Sequence, residues 1–274
     1  MPDFLAIGHI CHDKIPETFI PGGSVGYAAA FAAQQGCRVA ALTSYGPDFL
    51  FEKDYQHINL CVVPAAKTTC FENVYQETGR VQYLHARAAN LHPTDLPAAW
   101  RQTPVVMLCP IADEISPDFL TAFPDTFVCA CPQGWMRRWD ASGRVFPKKI
   151  KFWERICAGN LICFSENDVG CDWDFIEAIG GQAKLMVVTQ ASAGATVFER
   201  GQRRYFPAYP VEEINPTGAG DVFATAFALH YAETNDVEQA IYFAHAAASF
   251  CVERKNGVAF QTRETVLERA KKSG

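Results

Sequence analysis

Short apolar runs recur along the chain at 4–8, 38–44, 58–63, 104–109, 126–131, 161–165 and 185–190. They are continuous rather than alternating, which is the pattern of strands buried on both faces of a mainly parallel sheet. Between them lie stretches of helical periodicity at 26–36, 173–181, 221–233 and 236–254. Strand and helix alternate, so the expected fold is a three-layer α/β/α arrangement with helices on both sides of the sheet.

One segment breaks the rhythm. From Thr68 to Ala88, "TTCFENVYQETGRVQYLHARA" alternates apolar and polar residues across a Glu-Thr-Gly-Arg turn, as a hairpin with one wetter face would. An antiparallel pair inserted in a parallel chain is expected outside the main sheet, as a lid. The stretch 131–153 gathers Arg137, Arg138, Arg144, Lys148, Lys149 and Lys151 among aromatics and reads as a solvated loop with snorkelling side chains.

Composition removes whole classes of function. A net charge of -6 with no basic run argues against nucleic acid or an anionic membrane as partner. No stretch approaches the ~20 apolar residues of a membrane span. The first apolar run is too short for a signal peptide and is preceded by Asp3, so a cytoplasmic protein is expected. The eleven cysteines form no CxxC pair. Most fall inside apolar runs and read as small buried hydrophobes, with Cys129 and Cys131 on one face of a strand.

The chemistry concentrates at "NPTGAGDVFATAFALHY", residues 215–231. Asp221 ends a Gly-Ala-Gly turn and is followed by a long uncharged run. With a helix starting near Thr217 or Gly218, its free N–H groups and dipole would favour an anion there. Glycine removes the side chain that would keep a phosphate from those amides. On position alone Asp221 has two readings: complement to the dipole, or general base beside an anion hole.

The wider pattern favours the second. "NPTGAGDVF" resembles the signature of the ribokinase-like, or PfkB, carbohydrate kinases in Gly218, Ala219, Gly220, Asp221 and Phe223. "PGGSVGYAAAFAAQQGCRVAALTSYGPD" at 21–48 resembles the family's N-terminal glycine pair, helix and strand. Asp13 matches its acidic residue that binds substrate hydroxyls. "VVTQASAGATVF" at 187–198, with Ala191 in place of a glycine, and "HAAASFCVERKNGVA" at 245–259 resemble the segments beside the nucleotide. "CFSENDVG" at 163–170 stands where the family has Asn-x-x-Glu, with Ser165 and Asp168 at those positions. Tyr27 stands where a sugar-binding asparagine is common, and Asn215-Pro216 replaces the usual Asp-Thr. The segments 68–97 and 131–140 are similar to the divergent branch that includes the myo-inositol kinases.

The resemblance implies a ribokinase-like kinase domain over 1–274, with a hairpin lid at about 68–88, that phosphorylates a sugar, cyclitol or small polyol from ATP. Asp221 is the implied base, with Gly218, Ala219 and Gly220 at the anion hole. Asp13, Gly22, Gly23, Tyr27 and Arg137 are implied for substrate, with Arg80 an alternative to Arg137. Ser165, Thr189, Gly194, Gly218, Gly220 and Gly257 are implied for the nucleotide, and Glu166 and Asp168 for Mg2+. Lids of this family pair between subunits, which points to a homodimer. Two rivals stand beside this: a catalytically weakened member that binds a nucleoside or sugar without turnover, and an NAD-dependent dehydrogenase. The latter needs a glycine fingerprint after the first strand, which "AIGHICHDK" at 6–14 lacks.

Overall fold

The computed structural model describes residues 1–76, 79–254 and 260–271, with backbone alone at 75, 76, 79 and 80. In chain order the strands are β1 Phe4–Ile7, β2 Cys11–Ile15, β3 Thr18–Gly22, β4 Val39–Tyr45, β5 Asn59–Pro64, β6 Cys70–Gln76, β7 Gly79–Ala86, β8 Val105–Leu108 and β9 Phe127–Ala130. They continue with β10 Arg137–Trp139, β11 Val145–Pro147, β12 Leu161–Ser165, β13 Leu185–Thr189, β14 Gly194–Glu199 and β15 Gln202–Pro207. The helices are α1 Ser24–Gln34, α2 Trp153–Cys157, α3 Trp173–Gly180, α4 Ala219–Thr234, α5 Val237–Val252 and α6 Arg263–Lys271.

The main sheet runs β15-β14-β13-β12-β9-β8-β1-β4-β5. Strands β5 to β13 across that order pair in parallel, and β14 and β15 close one edge antiparallel. Alternation explains why the strand runs are apolar throughout. Phe4 and Ala6 of β1 face one core while Leu5 and Ile7 face the other, as do Val105 and Met107 against Val106 and Leu108 of β8. The first core lies under α1, α4, α5 and α6. The second is covered by α2, α3 and short turns carrying Trp100, Phe119 and Trp135.

Helix α4 answers the question raised by its sequence. Every residue from Val222 to His230 is buried, so the helix has no wet face over that length and carries no charge there. The eleven cysteines are free thiols, and most are buried.

The lid is larger than the expected hairpin. β6 and β7 pair antiparallel, but β2 pairs β6 in parallel and β3 pairs β2, giving a four-stranded sheet β3-β2-β6-β7. The strands β2 and β3 are short and mixed in polarity, so no period of two marked them. Phe71 and Leu84 of the lid bury against Cys11, Ile111 and Ala112, with Val145 packed on them.

The basic stretch after residue 131 keeps Arg138, Arg144, Lys149 and Lys151 exposed, as expected of a solvated segment, but is more ordered than a loop. It folds into the hairpin β10–β11, whose Gly143 carbonyl accepts from Leu84 N–H at 2.8 Å. Gly143 has φ +83, and a Cβ there would meet the Leu84 carbonyl, so the tether needs glycine at this turn. Among the described residues no helix is long and apolar enough to cross a membrane.

Candidate active site

The loop before α4 is built by its own side chains. Asn215 Oδ1 accepts from Thr217 N–H at 3.0 Å, while Ile214 and Asn215 donate to Val252 O at 2.8 and 3.0 Å. Asn215 therefore keeps the turn-closing acceptor that an aspartate would provide, without its charge. Gly218 is the N-cap, at φ +80. A Cβ at Gly218 would fall within the Tyr27 ring, so the close approach of α1 to this turn depends on glycine.

Fewer free amides stand at this turn than the sequence alone implied. Ala219 N–H is engaged by Pro216 O at 3.1 Å, because the turn tightens before the helix. No described backbone carbonyl receives the amides of Gly220 and Asp221, and these remain for an anion.

The Asp221 carboxyl is half-buried, and its pKa is pushed up to about 6, chiefly by loss of solvent, with Asp168 and Asp13 adding repulsion. A hydrogen bond from Ser24 and the charge of Arg137 oppose that shift. The group is thus mostly ionised near neutrality yet basic enough to accept a proton, the balance a general base requires.

Opposite it, β2 carries Asp13 on the face of the lid that also bears Phe71. A Cβ at Gly22 would stand 2.5 Å from Asp13 Oδ2, so the glycine makes room for that carboxylate. Gly23, at φ +94, lets α1 begin against the His9 carbonyl. Tyr27 is close enough to Asp13 and Asp221 for both to raise its pKa, after burial, the largest cause. Its phenol therefore stays a neutral donor between two carboxylates. Arg137 Nη1 donates to Ile111 O at 3.0 Å and its guanidinium lies 5.7 Å from the Phe71 ring centroid.

On the other side of Asp221 a cavity of about 630 Å³ extends from Gly220 to α5. Ser165, Asp168, Thr189 and Gly194 line its inner end, and Tyr209, Pro210, Val211, His245, Ala248 and Val252 give an apolar far end. Ala191, at φ +49, takes the left-handed geometry of the missing glycine, which a side chain tolerates at a cost of about 1 kcal/mol. Gly194, at φ +130, lies too close to Phe206 O for any side chain.

Asp168 faces this cavity. Its oxygens accept from Gln133 Nε2 at 2.9 Å and Ser165 N–H at 3.0 Å. Glu166 does not join it, because Trp173 Nε1 holds its carboxylate at 3.0 Å. Gly257 and the side chain of Arg80 lie outside the described residues.

Sequence patterns missed Ser24, Gln133, Asn73 and Gln82, and also Glu114, which is 1% exposed and accepts the amides of His9, Ile111 and Ala112. Glu114 ties the ends of β1 and β8 together beneath Arg137. Only an isolated carboxylate after "CPIAD" could have signalled it.

The fold and site define a class: a half-buried aspartate on a glycine-capped helix N-terminus, beside a long cavity that begins at Gly220. The profile of the pfkB family carbohydrate kinases matches residues 174–263. Cytidine kinase of Thermococcus kodakarensis is 26% identical, over 88% of this chain and 92% of its own length. A pyrophosphate-dependent kinase in the ribokinase family, complexed with a pyrophosphate analog and myo-inositol, superposes with TM-score 0.80 at 21% identity, over 97% of this chain and 99% of that one. Arabidopsis thaliana ribokinase complexed with ribose and ATP gives TM-score 0.74 at 18% identity, over 98% and 99%. Residues 174–263 thus match the pfkB family carbohydrate kinases, and the chain as a whole takes the ribokinase-like α/β fold. It is a phosphotransferase acting on sugar-like acceptors.

Proposed function

We propose that the chain transfers the γ-phosphoryl group of ATP to a hydroxyl of a sugar, a cyclitol such as myo-inositol, or a related polyol, nucleosides included. The observation that carries this is Asp221, with a pKa pushed up to about 6, set between the hydroxyl-binding Asp13 and the amides of Gly220 and Asp221. Cytidine, ribose and myo-inositol are the acceptors that the related proteins' names supply.

In this mechanism Asp13 and Tyr27 hold the acceptor, and Asp221 takes the proton of its hydroxyl. The hydroxyl oxygen bonds to the γ-phosphorus as the bond to the β–γ bridging oxygen breaks, and ADP leaves. The amides of Gly220 and Asp221 take up charge on the transferring group. Arg137 keeps Asp221 ionised until the proton arrives.

The long cavity fits a nucleotide donor. Its polar end meets the phosphates, and its far end between Tyr209 and α5 offers an apolar surface suited to a purine. Pyrophosphate, the donor of the structurally similar kinase, would have no use for that far end. Magnesium suits the same place: no cluster of three or more ligating side chains occurs among the described residues, and Mg2+ keeps most of its waters. Asp168 would hold the hydrated ion, which would neutralise phosphate charge when bound.

The kinase works as one domain with its lid, in the cytoplasm where ATP is supplied, and pairs through the lid with a second copy. Supporting the pairing, Ile15, Phe19 and Ile20 are large, exposed hydrophobics on the β2–β3 edge. The dehydrogenase alternative fails on topology, since Gly8 leads into β2 of the lid rather than a dinucleotide-binding helix. The binding-only alternative rests on the altered loop motifs, whose geometry Ala191 and Asn215 preserve. Incubation with ATP or pyrophosphate across sugars, cyclitols and nucleosides, read as phosphorylated product by mass spectrometry, is expected to give ATP-dependent turnover. Binding of acceptor without turnover would favour the binding-only protein, and turnover with pyrophosphate alone would overturn the donor assignment.

A further inference from the structure

A second cavity, of about 360 Å³, lies between β7, the β10–β11 hairpin and the turn after β12. It meets the donor cavity at Gln133, Asn167 and Asp168, and Arg137, whose charge acts on Asp221, forms part of its wall. Met136 and Phe146 give it an apolar side. Its polar groups have fixed roles. Gln82 Nε2 donates to Asn73 Oδ1 at 3.0 Å, and Gln133 Nε2 to Asp168 Oδ1 at 2.9 Å. Both amide nitrogens are thus turned to partners, and among the described residues nothing donates to either Oε1. Two carbonyl oxygens remain as acceptors for a ligand. The Arg144 guanidinium lies 5.4 Å from the Phe146 ring centroid, a charged donor held against an aromatic face.

The position of Gln82 sets the length of the ligand. Register puts Asp13, Phe71 and Leu84 in one row across the lid, and Asn73 and Gln82 in the next row on the same face. Gln82 is two strands and one row from Asp13, about 12 Å. An acceptor that reaches from Asp13 and Asp221 to Gln82 is longer than one sugar ring.

We infer that the acceptor is a nucleoside whose planar base enters this cavity and presents an exocyclic amine near a ring carbonyl, the pattern of cytosine. The amine donates to the oxygens of Gln82 and Gln133, and the carbonyl accepts from Arg144. The phosphoryl group goes to the sugar hydroxyl at Asp221. This rests on the kinase reading above. It also assigns a use to the hairpin that the transfer step alone does not require.

The test compares cytidine, uridine, ribose and myo-inositol as acceptors with ATP, for the wild type and Gln82→Leu. Cytidine should exceed uridine, which carries a carbonyl in place of the amine, by roughly 10²-fold or more in kcat/KM, because a buried acceptor is left unpaired. Ribose and myo-inositol should fall lower still. Gln82→Leu should raise KM for cytidine about tenfold with kcat within twofold, and move the cytidine/uridine ratio toward one. Ribose or myo-inositol used as well as cytidine, or uridine used equally, would overturn the inference and leave the kinase intact. If no acceptor is phosphorylated, the kinase reading fails. Calorimetry with cytidine alone then decides the cavity assignment: binding lost in Gln82→Leu supports it, and no binding at millimolar cytidine ends it.

Discussion

Two residues carry the sharpest expectations at the scale of a single side chain. Asp221→Asn removes the proton acceptor but keeps the shape, so turnover should fall by roughly 10²–10⁴-fold with ATP affinity kept. Turnover near wild type on the preferred acceptor would remove Asp221 from the mechanism. For the wild type, kcat/KM should fall as pH drops below about 6, as the carboxylate takes a proton. The same group makes a stability prediction of definite sign. Its folded pKa is raised from 3.8, so its contribution is favourable below that value and is lost as pH rises through about 6. Asp221→Asn should therefore raise Tm at pH 7 to 8 and leave it nearly unchanged near pH 3, which thermal scans at both pH values would check. Gly22→Ala is the second case: its new Cβ would push the Asp13 carboxylate out of place. The acceptor KM should rise at least tenfold, on the order of one lost charge-assisted hydrogen bond, with ATP binding unchanged. An unaltered KM would take Asp13 out of acceptor binding.

Among elements, the lid and the β10–β11 hairpin decide what the active site encloses. A lone hairpin is marginal in water, and β6–β7 avoids that state on both flanks. β2 pairs one edge, and the Leu84 N–H bond to Gly143 holds the other. The lid is therefore a sheet docked by Phe71 and Leu84, whose further closure over the ligands would exclude water from the transferring phosphoryl group. Hydrogen exchange in β6 and β7 should slow when acceptor and a non-hydrolysable ATP analogue bind together. Equal exchange with and without ligands would make the lid a fixed wall.

The assembly belongs to the scale of the whole molecule. Register puts Ile15 and Ile20 on the same face as Asp13, at an edge strand whose backbone groups are unpaired by another strand of the sheet. Such an edge invites a second copy. Replacing Phe19 and Ile20 together by Asp should convert a dimer to a monomer in size-exclusion chromatography with light scattering, and raise the acceptor KM if the second lid helps close the site. A wild type that is monomeric at tens of micromolar would overturn the pairing.

Local order was written in the chain itself. Runs of apolar residues gave the seven parallel strands, because burial on both faces leaves no room for polar positions. The Gly-Ala-Gly-Asp turn marked the start of α4, because glycine takes the left-handed N-cap geometry there. Tertiary structure alone decided the rest, since it depends on which surfaces meet. β2 and β3 are strands because β6 offers them an edge. The basic stretch after Cys131 became a wall because Gly143 reaches Leu84. Glu166 and Asp168, two residues apart, parted when Trp173 captured one and Gln133 the other. Gln82 and Gln133 became neighbours of one cavity across 51 positions of sequence, a proximity that no local spacing encodes because chain separation and spatial contact are independent until the core closes.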